Sequence, residues 1–377
     1  MSRRDLLVSQ NRRAPKGAGF GLVELMIAMT LGLAIILTVT TLFSDTSRTL
    51  FEVSRSGRQL ENSLFTLDLL ASELSLTGYW GEAGYPISAN TQIFVAGEDI
   101  ETAPSSLSWA PGSAVPPACL GTGAFVSGSS DNSKAELAYA MEYPVYAASG
   151  EVLNSTACSG KTAAARETVS DFVVIRRAST CATGDASCGA ADDFFHLQIN
   201  GCNNPSLGLD GGEIKLRRGA NQAALASLMT YESYQGCSAS ATVVAPIYRY
   251  VNRIYYVDVD DVLTRLTLDN VGGVIKFVPE QLVNGVELLR FEWFVDSNGD
   301  GDYDLVTAAP TVAQWQNVVG VKIWIVTRSN VPEPGYTDDV IYTIAGANWD
   351  VPAGNEGYRR RVDSRTVDFP NIGGARR

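Results

Sequence analysis

The chain contains one long apolar run, residues 20–43, in which Glu24 is the only charged residue. A helical stretch of about 20 apolar residues matches the thickness of a bilayer. The pattern therefore predicts a membrane-spanning helix over 20–43. A lone carboxylate in such a helix is costly, at about 2.5–3.5 kcal/mol near the bilayer centre on insertion scales, so Glu24 is a candidate functional residue.

A second pattern continues beyond the apolar run. Apolar and small residues recur at alternating spacings of four and three, which is typical of a helix with one buried stripe. They are Thr46, Leu50, Val53, Gly57, Leu60, Leu64, Leu67, Ala71 and Leu74. Because no proline interrupts this part of the chain, we expect one helix over 20–78 that ends at about Thr77, with Gly78 as its stop. Two helices with a hinge near 43–48 are the alternative.

After this helix, the pattern of apolar and polar residues along the sequence changes. Residues 79–170 are rich in Ala, Ser, Gly, Thr and Pro, which predicts a loop-rich region with sparse strands around 93–96, 136–141 and 144–147. Residues 171–377 instead alternate apolar and polar positions, as half-buried strands do. Strands are predicted at 172–177, 194–199, 213–217, 247–259, 263–268, 274–278, 286–295, 318–327, 340–345 and 358–367. The expected fold class is α+β, with the long helix packed on an antiparallel β-rich C-terminal domain.

Residues 1–19 form a basic leader with four arginines and one lysine against a single acid, Asp5. Since basic segments stay in the cytoplasm, the chain beyond Phe43 is expected on the other side of the membrane. A secretory signal peptide fits less well, because its apolar region is usually about 7–15 residues long and ends at a small-x-small cleavage site. A plain single-span anchor with a stray glutamate is another alternative.

The junction of leader and helix shows a family resemblance. Gly19-Phe20 followed by Glu24 resembles the cleavage and methylation site of type IV prepilins. The resemblance implies that prepilin peptidase cuts between Gly19 and Phe20, and that Phe20 is then N-methylated. It also implies that Glu24 pairs with the N-terminal amine of a neighbouring subunit. Pairing is physically reasonable, because a buried carboxylate left alone is strongly unfavourable.

Three further segments narrow the resemblance to the PilW family of minor pilins. They are 60–81, 318–329 and the arginine-rich 358–362. The family pattern has glycine and arginine after the Glu-Asn pair, and an arginine near Glu73. This chain has Ser63 and Leu64 after the pair and Leu74 beside Glu73, so it departs from the pattern there.

The resemblance implies a minor pilin that primes or takes part in type IV pilus assembly, at the pilus base or tip, and hence in twitching motility and cell adhesion. We expect a single span in the inner membrane with a periplasmic C-terminal domain, or a place in the pilus itself. Expected partners are other minor pilins, the major pilin and prepilin peptidase. A type II secretion minor pseudopilin and a calcium-dependent pilus-tip adhesin are the alternatives.

Composition and motifs argue against other classes. The net charge of −12 disfavours nucleic acid as a partner, because phosphate contacts need basic patches. The sequence has neither a G-x-S-x-G nucleophile elbow nor a G-x-x-x-x-G-K-[ST] phosphate loop, so we expect no enzymatic activity. The only histidine, His196, falls in a predicted strand and is interpreted as structural.

The cysteines are candidates for disulfides, because their number is even and the domain is expected to be exported. They are Cys119, Cys158, Cys181, Cys188, Cys202 and Cys237. Cys181–Cys188 is the best single pairing, since the residues between them are typical of a tight loop. A metal site is the weaker interpretation, because no CxxC pair is present.

Residues 296–304 form an acidic turn with oxygen-bearing side chains at alternate positions. They are Asp296, Asn298, Asp300, Asp302 and Asp304, and Gly301 occupies position six. This spacing is typical of a calcium loop, so calcium is the candidate cofactor. Position twelve is Thr307 instead of a bidentate glutamate, and the flanks are predicted strands. A solvated hairpin turn is therefore the alternative.

Overall fold

The computed structural model describes residues 21–81, 94–95, 113–120, 137, 140–149, 170–185, 188, 192–200, 203–204, 209–210, 213–219, 230–231, 243–244 and 246–373. The chain divides into two compact units, Met1–Ser56 and Gly57–Arg377.

The N-terminal helix, α1, spans Leu22–Ser75 without a break near 43–48, so the alternative with a hinge there is wrong. It ends two residues before the expected Thr77. Gly78 follows with a φ of 71°, a left-handed conformation that favours glycine.

The described part of the second unit is rich in strands. The first of them are β1 (Phe94–Val95), β2 (Val145–Ser149), β3 (Asp171–Ala182), β4 (Phe194–Asn200), β5 (Asn203–Asn204), β6 (Leu209–Asp210), β7 (Glu213–Gly219), β8 (Thr230–Tyr231) and β9 (Val243–Val244). The rest are β10 (Ile247–Val257), β11 (Val262–Val271), β12 (Val274–Asn284), β13 (Val286–Val295), β14 (Leu305–Thr307), β15 (Val318–Arg328), β16 (Tyr342–Ile344), β17 (Ala347–Trp349) and β18 (Arg360–Asp368). Two short helices, α2 (Val312–Trp315) and α3 (Pro370–Gly373), complete the described elements.

These strands form two main sheets. The eight-stranded sheet has the order β1-β7-β4-β10-β11-β12, and β3 pairs with both β10 and β2. The four-stranded sheet has the order β14-β13-β15-β18. Pairing is antiparallel except between β1 and β7. The predicted α+β class is confirmed.

The predicted strand over 136–141 is wrong at both of its described interior positions. Leu137 and Ala140 are helical, and the turn that follows leads into β2. Leucine, alanine and methionine are strong helix formers, and a short apolar run does not distinguish a strand from a helix by its period.

The last turns of α1 are part of the main core. Leu67, Leu70, Ala71 and Leu74 are buried in one cluster with residues of both sheets. The predicted stripe is wrong at Leu50, Val53 and Leu64, which are 65%, 64% and 53% exposed, while the polar Ser63 is fully buried. The spacing was helical, but the packed strands decide which face of the helix is covered.

The two sheets are joined by hydrogen bonds at two places, among other contacts. At the start of β3, the Ser170 hydroxyl accepts a hydrogen bond of 2.9 Å from the Leu289 amide of β13. At the turn between β10 and β11, the Asp261 carbonyl accepts the amides of Gly285 and Val286 at 2.8 and 3.0 Å. The sheets are therefore tied by both side-chain and backbone bonds.

Gly78→Ala should destabilise the folded chain more than Gly272→Ala does. Both glycines have positive φ, at 71° and 64°, so each alanine is strained by about 1–2 kcal/mol. Only at Gly78 would the new Cβ lie 2.9 Å from Ile372 Cγ1, whereas the space at Gly272 is open. Urea unfolding of the full chain in detergent measures both losses. Equal losses would contradict the close packing at the end of α1.

Candidate assembly site

The predicted processing residues Gly19 and Phe20 lie outside the described residues, so cleavage between them stays a prediction. α1 begins just after them and places Glu24 in its first turn. The amides of Glu24 and Leu25 donate to the Gly21 carbonyl at 3.0 and 3.1 Å. A carboxylate at this end of a helix is favoured by the helix dipole.

The following turns of α1 present a nearly uniform apolar surface. The apolar side chains between Leu22 and Phe43 are exposed in the isolated chain. Four threonine hydroxyls in this stretch donate to backbone carbonyls three or four residues earlier, namely those of Thr30, Thr38, Thr40 and Thr41. These bonds satisfy polar groups that would otherwise be costly in lipid. The helix is long and apolar enough to cross a membrane.

The end of α1 is held on the four-stranded sheet by polar side chains. Gln59 Nε2 donates to the Thr327 carbonyl at 2.7 Å, and Ser63 Oγ donates to Asp363 Oδ2 at 2.5 Å. Burial alone would raise the pKa of Asp363, but hydrogen bonds from Arg361 and Ser63 hold it below its usual value. Each of these bonds is directional, so together they fix the rotation of the helix on the sheet.

The same end of α1 is held on the eight-stranded sheet by an ionic cluster. Glu73 forms ion pairs with Arg177 of β3, at 3.5 Å, and with Arg253 of β10. The side chains of Glu73, Arg177 and Arg253 are 15%, 8% and 22% exposed. Burial lowers the pKa of Arg177, and the Glu73 carboxylate opposes that effect. Sequence reasoning missed this cluster, although Arg177 at the end of the predicted apolar strand 172–177 was a usable signal.

The arginine-rich segment 358–362 provides a second buried cluster. Arg360 is fully buried and binds Glu287 through two bonds of 2.7 and 2.9 Å. It also lies 3.2 Å from Asp338, which accepts a hydrogen bond from the Tyr342 hydroxyl at 3.0 Å. A two-point arginine–carboxylate pair is directional as well as ionic. Arg360 thus anchors the segment between β15 and β18 on the outer face of the four-stranded sheet.

The acidic turn at 296–304 is folded around its first and last carboxylates. Asp296, which is 1% exposed, accepts the amides of Gly299 and Gly301 at 2.6 and 3.0 Å. Asp304 accepts the Ser297 amide at 2.9 Å. These bonds account for the tight turn.

The middle of this turn is exposed to solvent. Asn298 Nδ2 donates to Asp300 at 3.0 Å, and the Asp302 amide donates to the same carboxylate at 2.9 Å. In the part of the chain that the structure describes, no group of three or more His, Cys, Asp or Glu side chains is arranged to hold a metal ion. Calcium binding here stays a prediction.

The predicted disulfide Cys181–Cys188 is confirmed, with a Cα–Cα distance of 5.9 Å. Cys119 is also disulfide-bonded. The remaining candidates, Cys158, Cys202 and Cys237, lie outside the described residues.

His196 is buried in β4 and placed as a structural residue would be. Its Nδ1 is 3.0 Å from the Phe194 carbonyl, and its Nε2 is 3.4 Å from Asp192 Oδ1. Burial lowers the pKa of His196, although the Phe194 carbonyl and Asp192 oppose that effect. A neutral imidazole that donates to the Phe194 carbonyl fits this environment.

Comparison with known proteins matches residues 254–371 to the family model described as type IV pilus-assembly protein W. The matched part includes the whole four-stranded sheet and the Arg360 cluster. No curated protein and no solved structure matches the chain. The match supports the resemblance to the PilW family. It rests on residues that are distant in sequence from the leader and Glu24, and does not include them.

Replacing the buried Arg360 with methionine should destabilise the chain by about 3–5 kcal/mol, because Glu287 and Asp338 would be left buried and unpaired. Arg361→Met is the matched control. Arg361 is 45% exposed, and its partner Asp363 keeps the hydrogen bond from Ser63, so the loss of Arg361 should cost about 0–1 kcal/mol. Denaturant unfolding measures both variants, and similar losses would contradict the role given to Arg360.

Calcium should raise the melting temperature of the full chain, because a cation would offset the repulsion among the carboxylates of the acidic turn. Magnesium should have a smaller effect, since it demands a stricter geometry. The Asp300→Asn, Asp302→Asn double variant should lose the calcium effect. An unchanged melting temperature in calcium would favour the solvated hairpin turn.

Proposed function

We propose that this chain is a minor pilin that takes part in type IV pilus assembly and acts without catalysis. The main support is the match of residues 254–371 to a pilus-assembly family, in a chain whose N-terminal helix exposes an apolar surface with one acid. The fold is consistent with this role, since a long apolar helix is followed by an antiparallel β domain.

In this proposal α1 has two tasks. Its apolar surface holds the chain in the inner membrane before assembly and packs against the helices of other pilins afterwards. Glu24 makes that packing selective. Once the leader is removed, the Phe20 amine of a neighbouring subunit can pair with the Glu24 carboxylate. A carboxylate withdrawn from water is unfavourable until it is paired, so subunits that dock out of register are disfavoured.

The β domain supplies the contacts that distinguish one minor pilin from another. Its core includes the last turns of α1, so a force or displacement on the helix is transmitted to the sheets through Glu73 and Ser63. Proposed partners are other minor pilins, the major pilin and prepilin peptidase.

Two variants separate processing from assembly. Gly19→Trp should block leader removal, which the size of the chain on a gel would reveal. Glu24→Ala should be processed normally but should reduce surface pili, because it lacks the pairing carboxylate. Glu24→Asp keeps the charge and should retain part of the activity. Normal processing of Gly19→Trp would overturn the prepilin assignment, and unchanged piliation of Glu24→Ala would overturn the pairing mechanism.

Deletion of the gene tests the proposed function as a whole. Surface piliation should fall while the level of secreted proteins stays normal, and expression of the native chain should restore the pili. Normal pili with impaired secretion would instead place the chain in a type II secretion system. Normal pili, normal secretion and loss of calcium-dependent attachment would favour a tip adhesin.

A further inference from the structure

One face of the eight-stranded sheet carries an unusual set of buried polar side chains. Arg176 of β3 and Asn252 of β10 are directly paired in register, so their side chains lie on the same face. Tyr250 lies two residues before Asn252 and therefore shares this face. All three residues are 0% exposed. Trp80 stacks on Tyr250 with ring centroids 6.3 Å apart and is 1% exposed.

In the part of the chain that the structure describes, Arg176 forms no ion pair with a carboxylate. Its guanidinium donates to the carbonyls of Tyr143 and Pro117, at 3.0 and 3.2 Å, and lies 5.3 Å from the centre of the Tyr146 ring. A buried charge is normally paired, because desolvation is costly otherwise.

The polar atoms around Arg176 are also unsatisfied. Arg176 Nε, the Tyr250 hydroxyl, Trp80 Nε1 and both amide atoms of Asn252 have no hydrogen-bond partner among the residues that the structure describes. Burial raises the pKa of Tyr250 to about 12, against the opposing effect of Arg176, so the hydroxyl is a neutral donor at physiological pH. Buried polar atoms without partners are rare in folded proteins and call for a ligand or ordered water.

The chemistry of these atoms favours an anion over water. Arg176 Nε, Asn252 Nδ2 and Trp80 Nε1 can only donate, and the Tyr250 hydroxyl can donate as well. Only the Asn252 carbonyl is left as a pure acceptor. Water bonded here would satisfy part of the set but would leave the guanidinium charge uncompensated. A small anion would accept several of these donors and neutralise the charge.

We propose that Arg176, Asn252 and Tyr250 form an internal binding site for a small inorganic anion such as chloride. The bound anion would stabilise the junction between β3 and β10, two strands of the sheet that receives the end of α1. This site is independent of the acidic turn and of the residues assigned to pilus assembly.

Unfolding of the full chain in detergent tests the proposal, with chloride replaced by gluconate at constant ionic strength. Chloride should stabilise the native chain and the effect should follow a binding curve. At a chloride concentration ten times the dissociation constant, the unfolding equilibrium constant should be about tenfold lower. The same unfolding curve in both salts would overturn the proposal.

A matched pair of variants locates the effect. Tyr250→Phe removes one proposed donor and should weaken the chloride dependence. Tyr255→Phe removes a buried hydroxyl from the opposite face of the same strand and should leave the dependence unchanged. Because each change deletes only one oxygen atom, both variants are expected to fold. An equal chloride response in the two variants would contradict the location.

Bromide gives a direct view of the site. Crystals of the full chain grown in bromide should show an anomalous peak within hydrogen-bonding distance of Arg176 Nε. An ordered water in the same place, with no anomalous signal, would overturn the assignment to an anion.

Discussion

The contact of Glu73 with Arg177 and Arg253 fixes where the end of α1 lies on the β domain. The stability itself comes mainly from apolar packing, since each fully buried leucine such as Leu70 or Leu74 contributes about 1.5–3 kcal/mol. The ionic cluster has a different effect, because desolvation offsets much of its attraction. Its directional bonds restrict the helix to one rotation and one height on the sheets, and the core packs around that position.

The two parts of α1 have different surroundings. Residues 22–43 expose apolar side chains and have no core of their own, whereas the turns from Ser63 onward are built into the β domain. In the proposed function, the exposed part of the helix would pack against other helices while the β domain stays folded. On the opposite face of the four-stranded sheet, the Arg360 cluster holds the long segment before β18 in place.

Much of the fold could be predicted because strand and helix periods are local properties of the sequence. The strands predicted at 247–259 and 286–295 correspond closely to β10 and β13, since alternation is clear there. The candidate site was less predictable. Glu73 is separated by 104 residues from Arg177 and by 180 residues from Arg253, so no local pattern reveals their contact. The exposure of Leu64 has the same cause, because the facing strands determine which side of a helix is buried.

Hydrogen exchange of the full chain tests most directly whether the end of α1 is part of the β domain. In the native chain, the amides of residues 66–75 should exchange only by global unfolding, at the rate of the central strand β10. Glu73→Gln should make the same amides exchange faster while the protection of β10 changes less, because two arginines lose their shared carboxylate. Rapid exchange of residues 66–75 in the native chain, unaffected by Glu73→Gln, would contradict the account.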